Sequence, residues 1–236
     1  MRLSLLILAA MPFAAQPAAA ALIHDYQFSH AGSVIDSVGG ANGTLVGGAT
    51  VSGGALHLNG TDGFVDFSSQ LVPTGSNPYS VFVRVNGTPN SSTFTEIISQ
   101  GFSGGPGFYL GTRPGGEIRL TDNFVSTGLT YPVGRTVDLL LTSDQNGTNF
   151  YIDGISQFSS ATPSRTAATG GSNTRFGKQF APYAEYFQGD VSAVRIFDTA
   201  IAPTAVPEPA SWAIMLLGFG VAGATLRSAR RSSVAA

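Results

Sequence analysis

The chain has 236 residues, a net charge of −2 and only 11% charged residues. It contains no cysteine, which excludes disulfide bonds and zinc sites built on thiolates. The sequence has no basic patch that would indicate binding to nucleic acid. A composition rich in Gly, Ser, Thr, Asn, Val and Phe, with four Glu and one Lys, is typical of a β-protein.

The first 21 residues are organised like a secretory signal peptide. Arg2 is followed by a short apolar run and then by small residues as far as Ala21. This order predicts a signal helix, export, and cleavage near Ala20 or Ala21. The apolar run is too short for a stable membrane span, so we expect the mature chain to begin near Leu22, outside the inner membrane.

Residues 22–202 are predicted to form one domain, because apolar and polar residues alternate with the period of a β-strand. Strands are predicted at 23–28, 44–46, 49–51, 55–58, 63–67, 79–85, 95–100, 107–112, 117–121, 136–143, 149–153, 155–158, 174–179 and 189–198. Asn-Gly pairs such as Asn86-Gly87 favour tight turns between them. Many short strands without a long helix predict an all-β sandwich or barrel.

Four segments of this domain share their order and spacing with the motifs of a known fold. They are residues 54–60 (G-A-L-H-L-N-G) with 63–65 (G-F-V), 79–85 (Y-S-V-F-V-R-V), 150–154 (F-Y-I-D-G) and 187–198 (F-Q-G-D-V-S-A-V-R-I-F-D). They resemble the laminin-G-like, concanavalin A-like jelly rolls, although Ser192 replaces an Asp of the last motif. The resemblance implies an antiparallel β-sandwich with both termini close together at one edge.

Patterns for catalysis are sparse. Glycoside hydrolases on this fold use carboxylates clustered on one strand. The glutamates are Glu96, Glu117, Glu185 and Glu208. None has a second carboxylate two or three residues away on a strand. A hydrolytic triad would need His near Ser and Asp, and His24 and His57 are interpreted as packed or edge residues. We therefore predict a non-enzymatic domain, with a carbohydrate-active enzyme on the same fold as the alternative.

One structural calcium ion is the predicted cofactor. Calcium binds carboxylate and carbonyl oxygens, and many concanavalin A-like folds tie the first strand to the last through such an ion. By resemblance, the matching residues are Asp25, Gly60 and Asp190, and Asp62 is a further carboxylate in the turn that contains Gly60. The alternative is that Asp190 caps a strand end and Asp62 is a turn residue.

A glycan-binding surface is the second predicted site. Sugars dock on aromatic faces that are flanked by polar groups. The candidate ligand-binding residues are Tyr183 and Tyr186, with Arg113 as a hydrogen-bond donor. The alternative assigns most aromatic residues, such as Phe108 and Phe187, to the core and leaves Tyr183 exposed.

Residues 203–236 have a different character, and residues 199–205 are predicted to be a linker. Pro207-Glu208-Pro209 is followed by an uncharged apolar segment of fifteen residues that begins at Trp212, and then by arginines. These arginines are Arg227, Arg230 and Arg231. As a helix the apolar segment would measure about 22 Å, against about 30 Å for a bilayer core. It is expected to form a short transmembrane helix, with its arginines in the cytoplasm.

These parts, in this order, resemble the PEP-CTERM sorting signal in its variant with Trp-Ala after Pro-Glu-Pro. The resemblance implies a Gram-negative host, processing by a membrane enzyme called exosortase, and a transient inner-membrane anchor before release to the cell surface or the medium. An ordinary single-pass tail anchor is the alternative. We therefore expect an exported cell-surface or matrix protein whose domain recognises a partner such as extracellular polysaccharide.

Overall fold

The computed structural model describes residues 20–102, 107–120, 125–166, 171–180 and 182–203. These residues form fifteen β-strands. The strands are β1 (Leu22–Tyr26), β2 (Thr44–Val46), β3 (Thr50–Ser52), β4 (Ala55–Asn59), β5 (Phe64–Asp66), β6 (Tyr79–Thr88), β7 (Thr95–Gly101), β8 (Gly107–Thr112), β9 (Glu117–Leu120), β10 (Val125–Thr130), β11 (Val137–Asp144), β12 (Gly147–Ile152), β13 (Ile155–Ser160), β14 (Ser172–Phe176) and β15 (Gln188–Phe197).

The strands build two antiparallel sheets that confirm the predicted sandwich. The first sheet has the order β13-β12-β11-β6-β15-β4-β3, with β1 paired to β15. The second sheet has the order β10-β9-β8-β7-β14-β5-β2. Within the described ranges no helix is both long enough and apolar enough to cross a membrane. The predicted signal helix and tail helix lie outside those ranges.

The two ends of the domain lie side by side, as the resemblance implied. Asp25 of β1 is the register partner of Arg195 of β15, and the backbone N–H of Ala21 donates to Asp198 Oδ1 at 3.2 Å. β6 pairs along one side of β15. On the other side, β4 pairs with the first half of β15 and β1 pairs with the second half. The ends therefore meet beside a central strand of the first sheet and not at its edge.

The core lies between the two sheets, because each strand directs alternate side chains inward. Tyr26 and Phe176 are fully buried there, and their rings meet edge to face at 5.3 Å. Full burial of a large apolar side chain contributes roughly 1.5–3 kcal/mol. Aromatic and branched residues from both sheets thus supply most of the stability of the sandwich.

Two details differ from the sequence-based expectation. β6 continues through Asn86-Gly87 to Thr88, where a turn was predicted, because these residues pair with β15. Gly87 lies directly against the ring of Phe187, where a side chain would clash. β10 was not predicted at all, since its sequence V-S-T-G-L-T has little apolar alternation. Pairing with β9 makes it a strand.

A polar clamp holds the chain against the domain beyond the last strand. Ser80 Oγ donates to the carbonyl of Thr199 at 2.6 Å and accepts from the N–H of Ile201 at 2.9 Å. Ile201 is 6% exposed and packs with Phe82 and Phe197 on the outer face of the first sheet. Residues 199–201 are therefore part of the domain, and the prediction of a linker from residue 199 onward is corrected.

Candidate functional site

The outer face of the second sheet carries an unusual set of polar and aromatic side chains. Tyr109 of β8 and Arg119 of β9 each lie between two core residues, so they point away from the core. Glu96 of β7 joins them there through an ion pair with Arg119. Arg175 of β14 likewise lies between two residues that face the core, so its side chain also points outward. This face is nevertheless largely shielded from solvent.

The shielding comes from a loop between β14 and β15 that we call the strap, residues 177–180 and 182–187. Gly177 N–H donates to the carbonyl of Ile97 at 2.8 Å, and Phe187 N–H donates back to the carbonyl of Gly177 at 3.0 Å. Ser99 Oγ donates to the carbonyl of Lys178 at 2.7 Å. These bonds fix both ends of the strap to the sheet.

The middle of the strap is also fixed. Arg175 Nη1 donates to the carbonyls of Gln179 and Phe180 at 3.2 and 3.1 Å. The ring of Phe180 packs 5.3 Å from that of Tyr109, and Tyr186 forms a parallel bridge with Glu96. The strap is therefore attached to the sheet at residues 177–180 and 185–187, on both sides of Tyr183.

Beneath the strap, two carboxyl groups share one arginine. Arg119 Nη1 lies 2.7 Å from Glu96 Oε1 and 3.5 Å from Glu185 Oε2. Its guanidinium carbon lies 3.9 Å from the centre of the Tyr109 ring and 4.7 Å from that of Phe94. Arg119 and Glu96 are 2% and 0% exposed. An arginine is thus held in the structure as a buried cation between aromatic rings.

The two glutamates lie against the same arginine, and the negative charge of Glu185 favours a proton on Glu96. Burial raises the pKa of Glu96 well above its ordinary value, against the opposing charge of Arg119. Burial also raises the pKa of Glu185, again opposed by Arg119. Burial therefore favours the protonated form of both carboxyl groups, and Arg119 favours their charged form.

An aromatic–lysine cluster, formed by Phe64, Lys178 and Tyr186, lies at the surface where the strap meets β5. Lys178 Nζ lies 5.1 Å from the centre of the Phe64 ring and 5.3 Å from that of Tyr186. The two ring centres are 6.4 Å apart. All three side chains are half-buried. Cation–π attraction holds the ammonium group between the rings.

The predicted ligand-binding residues divide into two groups. Tyr183 is 53% exposed on the strap and Tyr186 belongs to the cluster. Arg113 lies in the turn after β8 and is near Glu117. No contact among the described residues joins Arg113 to either tyrosine. Sequence reasoning missed Phe64 and Lys178, although Lys178 could have been noticed as the only lysine of the chain.

The four predicted calcium ligands do not meet at one point. Asp25 contacts Gln27 Nε2 at 2.6 Å and Arg195 Nε at 3.4 Å. Asp190 is five residues from Arg195 along β15, so about 16 Å separates it from the place where Asp25 lies. Ligands of one calcium ion all lie within about 2.6 Å of the ion. A single ion bound by both Asp25 and Asp190 does not fit this register.

The other two predicted ligands shape the turn between β4 and β5. Asp62 Oδ1 accepts from Asn59 Nδ2 at 2.7 Å and from the N–H of Gly48 at 3.0 Å. Gly60 has a φ of +72°, which favours glycine. Within the described ranges no group of three or more His, Asp or Glu residues is placed to hold a metal ion.

Asp190 instead belongs to a hydrogen-bonded row on the outer face of the first sheet. His57 Nδ1 lies 2.7 Å from Asp190 Oδ1, and His57 Nε2 lies 2.9 Å from Ser52 Oγ. The atoms follow the order of a serine-hydrolase triad. The carbonyl of Ser52 also lies 3.2 Å from His57 Nε2 and competes for that nitrogen. Sequence reasoning missed this row, because β3, β4 and β15 supply one residue each.

The row is open to solvent, since the side chains of His57 and Asp190 are 41% and 54% exposed. Water therefore screens the interaction between them, and an exposed pair of this kind contributes only about 0–1 kcal/mol. The geometry orients Ser52 toward His57, but the pair of His57 and Asp190 lies in open solvent.

Comparison with protein families places the fold in a named group. A family model described as the concanavalin A-like lectin/glucanases superfamily matches residues 59–206, more than half of the chain. The chain belongs to this superfamily. A second model, the PEP-CTERM protein-sorting motif, matches residues 205–231. It covers the predicted sorting residues, which lie outside the described ranges. No curated protein matches the sequence.

Solved structures share the fold at low sequence identity. Domain 4 of AbnA, a GH43 extracellular arabinanase from Geobacillus stearothermophilus in complex with arabinotriose, is 22% identical, with a TM-score of 0.60 over 79% of this chain and 97% of that one. A Trypanosoma rangeli sialidase in complex with 2,3-difluorosialic acid is 16% identical, with a TM-score of 0.60 over 78% of this chain but only 32% of its own. The binding domain of botulinum neurotoxin serotype G is 18% identical, with a TM-score of 0.55 over 78% and 49%.

Proposed function

We propose that this protein is a non-enzymatic recognition protein of the cell surface or extracellular matrix, and that it binds polysaccharide through the strap. The observation that carries the proposal is the position of the strap. It presents the exposed ring of Tyr183 and the half-buried ring of Tyr186 on a loop fixed to the sheet. Fixed aromatic rings bind sugars at a low cost in conformational entropy.

Two comparisons support this proposal. The arabinanase domain that shares the fold over nearly its whole length was solved with a bound oligosaccharide. The sorting motif indicates export with a transient membrane anchor, and export brings the domain to the compartment where extracellular polysaccharide is found. We propose an exosortase-type enzyme of a Gram-negative host as the partner that processes the tail.

A glycan array tests the recognition function on the full-length protein purified in detergent. Wild-type protein is expected to bind at least one polysaccharide. Tyr183→Ala should weaken binding several-fold, because a lost ring contact is worth about 0.5–1.5 kcal/mol. Ile155→Ala is the matched control, since Ile155 is 64% exposed on the other sheet. Equal losses in both variants would contradict the proposed role of the strap.

Replacement of Pro207 and Pro209 by alanine tests the sorting function. The apolar segment and its arginines remain, so membrane insertion is expected to be unchanged. A processing enzyme, however, would lose the extended Pro-Glu-Pro segment as its substrate. The double variant should stay at full length in the inner membrane, while wild type is released. Equal release of both, measured by fractionation and intact mass, would favour the ordinary anchor.

A second candidate function is acyl-ester hydrolysis by Ser52, His57 and Asp190, which the row of hydrogen bonds specifically favours. Ser52 Oγ would attack the acyl carbon and pass its proton to His57, which would return it to the leaving alcohol. Water would then release the acid. A fluorophosphonate probe and a chromogenic ester test this function. Labelling and turnover that disappear in Ser52→Ala would establish it, and their absence in wild type would reject it.

A further inference from the structure

We infer that Lys178, held between the rings of Phe64 and Tyr186, binds the carboxylate or sulfate groups of an acidic polysaccharide. This inference rests on the proposed function and names the class of its ligand. An acidic sugar offers an apolar ring face together with a fixed negative charge. The aromatic–lysine cluster offers the complementary pair, aromatic rings and an ammonium group, within about 5 Å of each other.

The charge of Lys178 is available to a ligand. Five arginines of the described residues, Arg84, Arg119, Arg135, Arg175 and Arg195, have a carboxylate within 4 Å. Lys178 has no such partner among the described residues. Most of the positive charge on the described residues is thus neutralised by a neighbouring carboxylate, and the ammonium group of Lys178 is not.

The position of Lys178 is defined as well. Its carbonyl accepts a hydrogen bond from Ser99, and its ammonium group rests on two rings. Arg175 stacks on Phe64, with its guanidinium carbon 5.2 Å from the ring centre, but Asp66 Oδ1 neutralises it at 2.8 Å from its Nε. Lys178 therefore carries a positive charge that no carboxylate near the cluster compensates. Because its side chain is already held in place, a ligand that binds it loses little conformational entropy.

Flanking rings favour a polymer of acidic sugars over a small inorganic anion. Inorganic phosphate would gain the ammonium contact alone. A sugar unit also covers ring surface, and neighbouring units of a polymer can reach Tyr183, which is 53% exposed on the same strap. The site is thus matched to the repeating charge and the repeating apolar faces of an acidic polysaccharide.

The single lysine allows a test on one side chain of the full-length protein, carried on a lysine-free affinity tag. Acetylation removes the charge of Lys178, whereas reductive dimethylation keeps it. Binding is measured to a uronate polymer, a sulfated polymer and a neutral polymer, with inorganic phosphate as competitor. Acetylation should weaken binding to an acidic polymer at least about ten-fold, because a hydrogen bond to a charged group is lost. Dimethylation should change it less than about three-fold.

Lys178→Arg is the matched control, because it keeps the charge and has no side-chain amine to acetylate. It should bind the acidic polymer before and after treatment with the acetylating reagent. Loss of binding in treated Lys178→Arg would assign the effect to the terminal amine and overturn the inference. Circular dichroism of each modified sample confirms that the fold is retained.

The outcomes separate the inference from the proposed function. Binding to a uronate or a sulfated polymer that acetylation abolishes supports both, and the better of the two identifies the anionic group. Binding to the neutral polymer alone, or binding to an acidic polymer that acetylation leaves intact, overturns the inference but keeps polysaccharide recognition. Competition by phosphate as strong as that by the polymer also overturns it. No binding to any polymer rejects the proposed function itself.

Discussion

The outer faces of the two sheets each carry a cluster of ionisable residues, and they do so in opposite surroundings. On the first sheet, His57 and Asp190 meet in open solvent, with side chains 41% and 54% exposed. On the second sheet, Arg119 and Glu96 meet beneath the strap at 2% and 0% exposure. The contact distance is 2.7 Å in both. Equal distances therefore do not imply equal energies.

The two pairs differ in how much hydration their charges have lost. An exposed pair keeps its water, so breaking it costs about 0–1 kcal/mol. A buried pair has lost its water, so removal of one partner leaves an uncompensated charge and costs about 3–5 kcal/mol. The buried cluster serves to hold the strap, while the exposed row leaves the reactive atoms of its side chains accessible.

Replacement of Arg119 should give the largest effect. In Arg119→Leu the carboxyl groups of Glu96 and Glu185 lose their shared cation, and we expect a loss of about 3–5 kcal/mol. For a domain of this size that corresponds to roughly 6–20 °C in melting temperature. Arg135→Leu is the control, because the Arg135–Asp153 pair is exposed and should cost less than about 1 kcal/mol. Similar losses in thermal unfolding would contradict the contrast between buried and exposed pairs.

Glu96→Gln should change how stability depends on pH. The raised pKa of Glu96 means that the folded protein keeps a proton that the unfolded chain releases above about pH 4.5. The contribution of this proton to the free energy of unfolding is fully present below about pH 4.5. It decreases by about 1.4 kcal/mol per pH unit as the pH rises toward the pKa of Glu96 in the folded protein. Glutamine keeps the neutral form, so the variant should gain stability relative to wild type as the pH is raised.

Glu117→Gln provides a control of opposite sign. Hydrogen bonds from Ser126 and Gly128 lower the pKa of Glu117, so its contribution is present above about pH 4.5 and is lost as the pH falls through the folded pKa. Its glutamine variant should therefore lose stability relative to wild type as the pH is raised. Melting curves between about pH 2 and about pH 9 cover both windows, and slopes of the same sign would contradict the opposite pKa shifts of Glu96 and Glu117.

The exposed row should tolerate substitution. Asp190→Asn keeps an acceptor for His57 and removes only a screened charge, so we expect a change below about 1 kcal/mol in the free energy of unfolding. Chemical denaturation measures it. A loss above about 2 kcal/mol would show that this carboxylate is coupled to a partner that the hydrogen bonds do not explain.

Chelation should have the smallest effect. Since Asp25 and Asp190 lie far apart, we expect the melting temperature to differ by less than about 2 °C between calcium and chelator. An ion present at 100 times its dissociation constant would add about 2.7 kcal/mol, or roughly 5–10 °C. A shift of that size would restore a calcium site, for which the turn around Asp62 would be the remaining place.

Local patterns in the sequence were enough to predict most of the fold. Alternation along β6 and β11 is strong because both strands lie in the middle of a sheet and bury one face completely. The last motif also predicted β15 and its meeting with β1. Where alternation was weak, as in β10, the strand was missed, because pairing with a neighbour decides its conformation.

The candidate sites were harder to predict, because each one is assembled across strands. Glu96 and Glu185 are 89 residues apart in the sequence, and no local pattern indicates that they share Arg119. Ser52 and Asp190 likewise meet only through the order β3-β4-β15. Tyr183 could be predicted as exposed since its neighbours include a proline and alanines. Its relation to Lys178 and Phe64 depends on the path of the strap.

The clamp formed by Ser80 determines the face from which the chain leaves the domain toward the sorting motif. It holds residues 199–201 on the outer face of the first sheet, and the strap lies on the outer face of the second. Nine peptide bonds separate Pro203 from Trp212, where the apolar segment begins, which is at most about 32 Å of extended chain. The chain therefore leaves the domain toward the sorting motif on the side opposite the strap and the aromatic–lysine cluster.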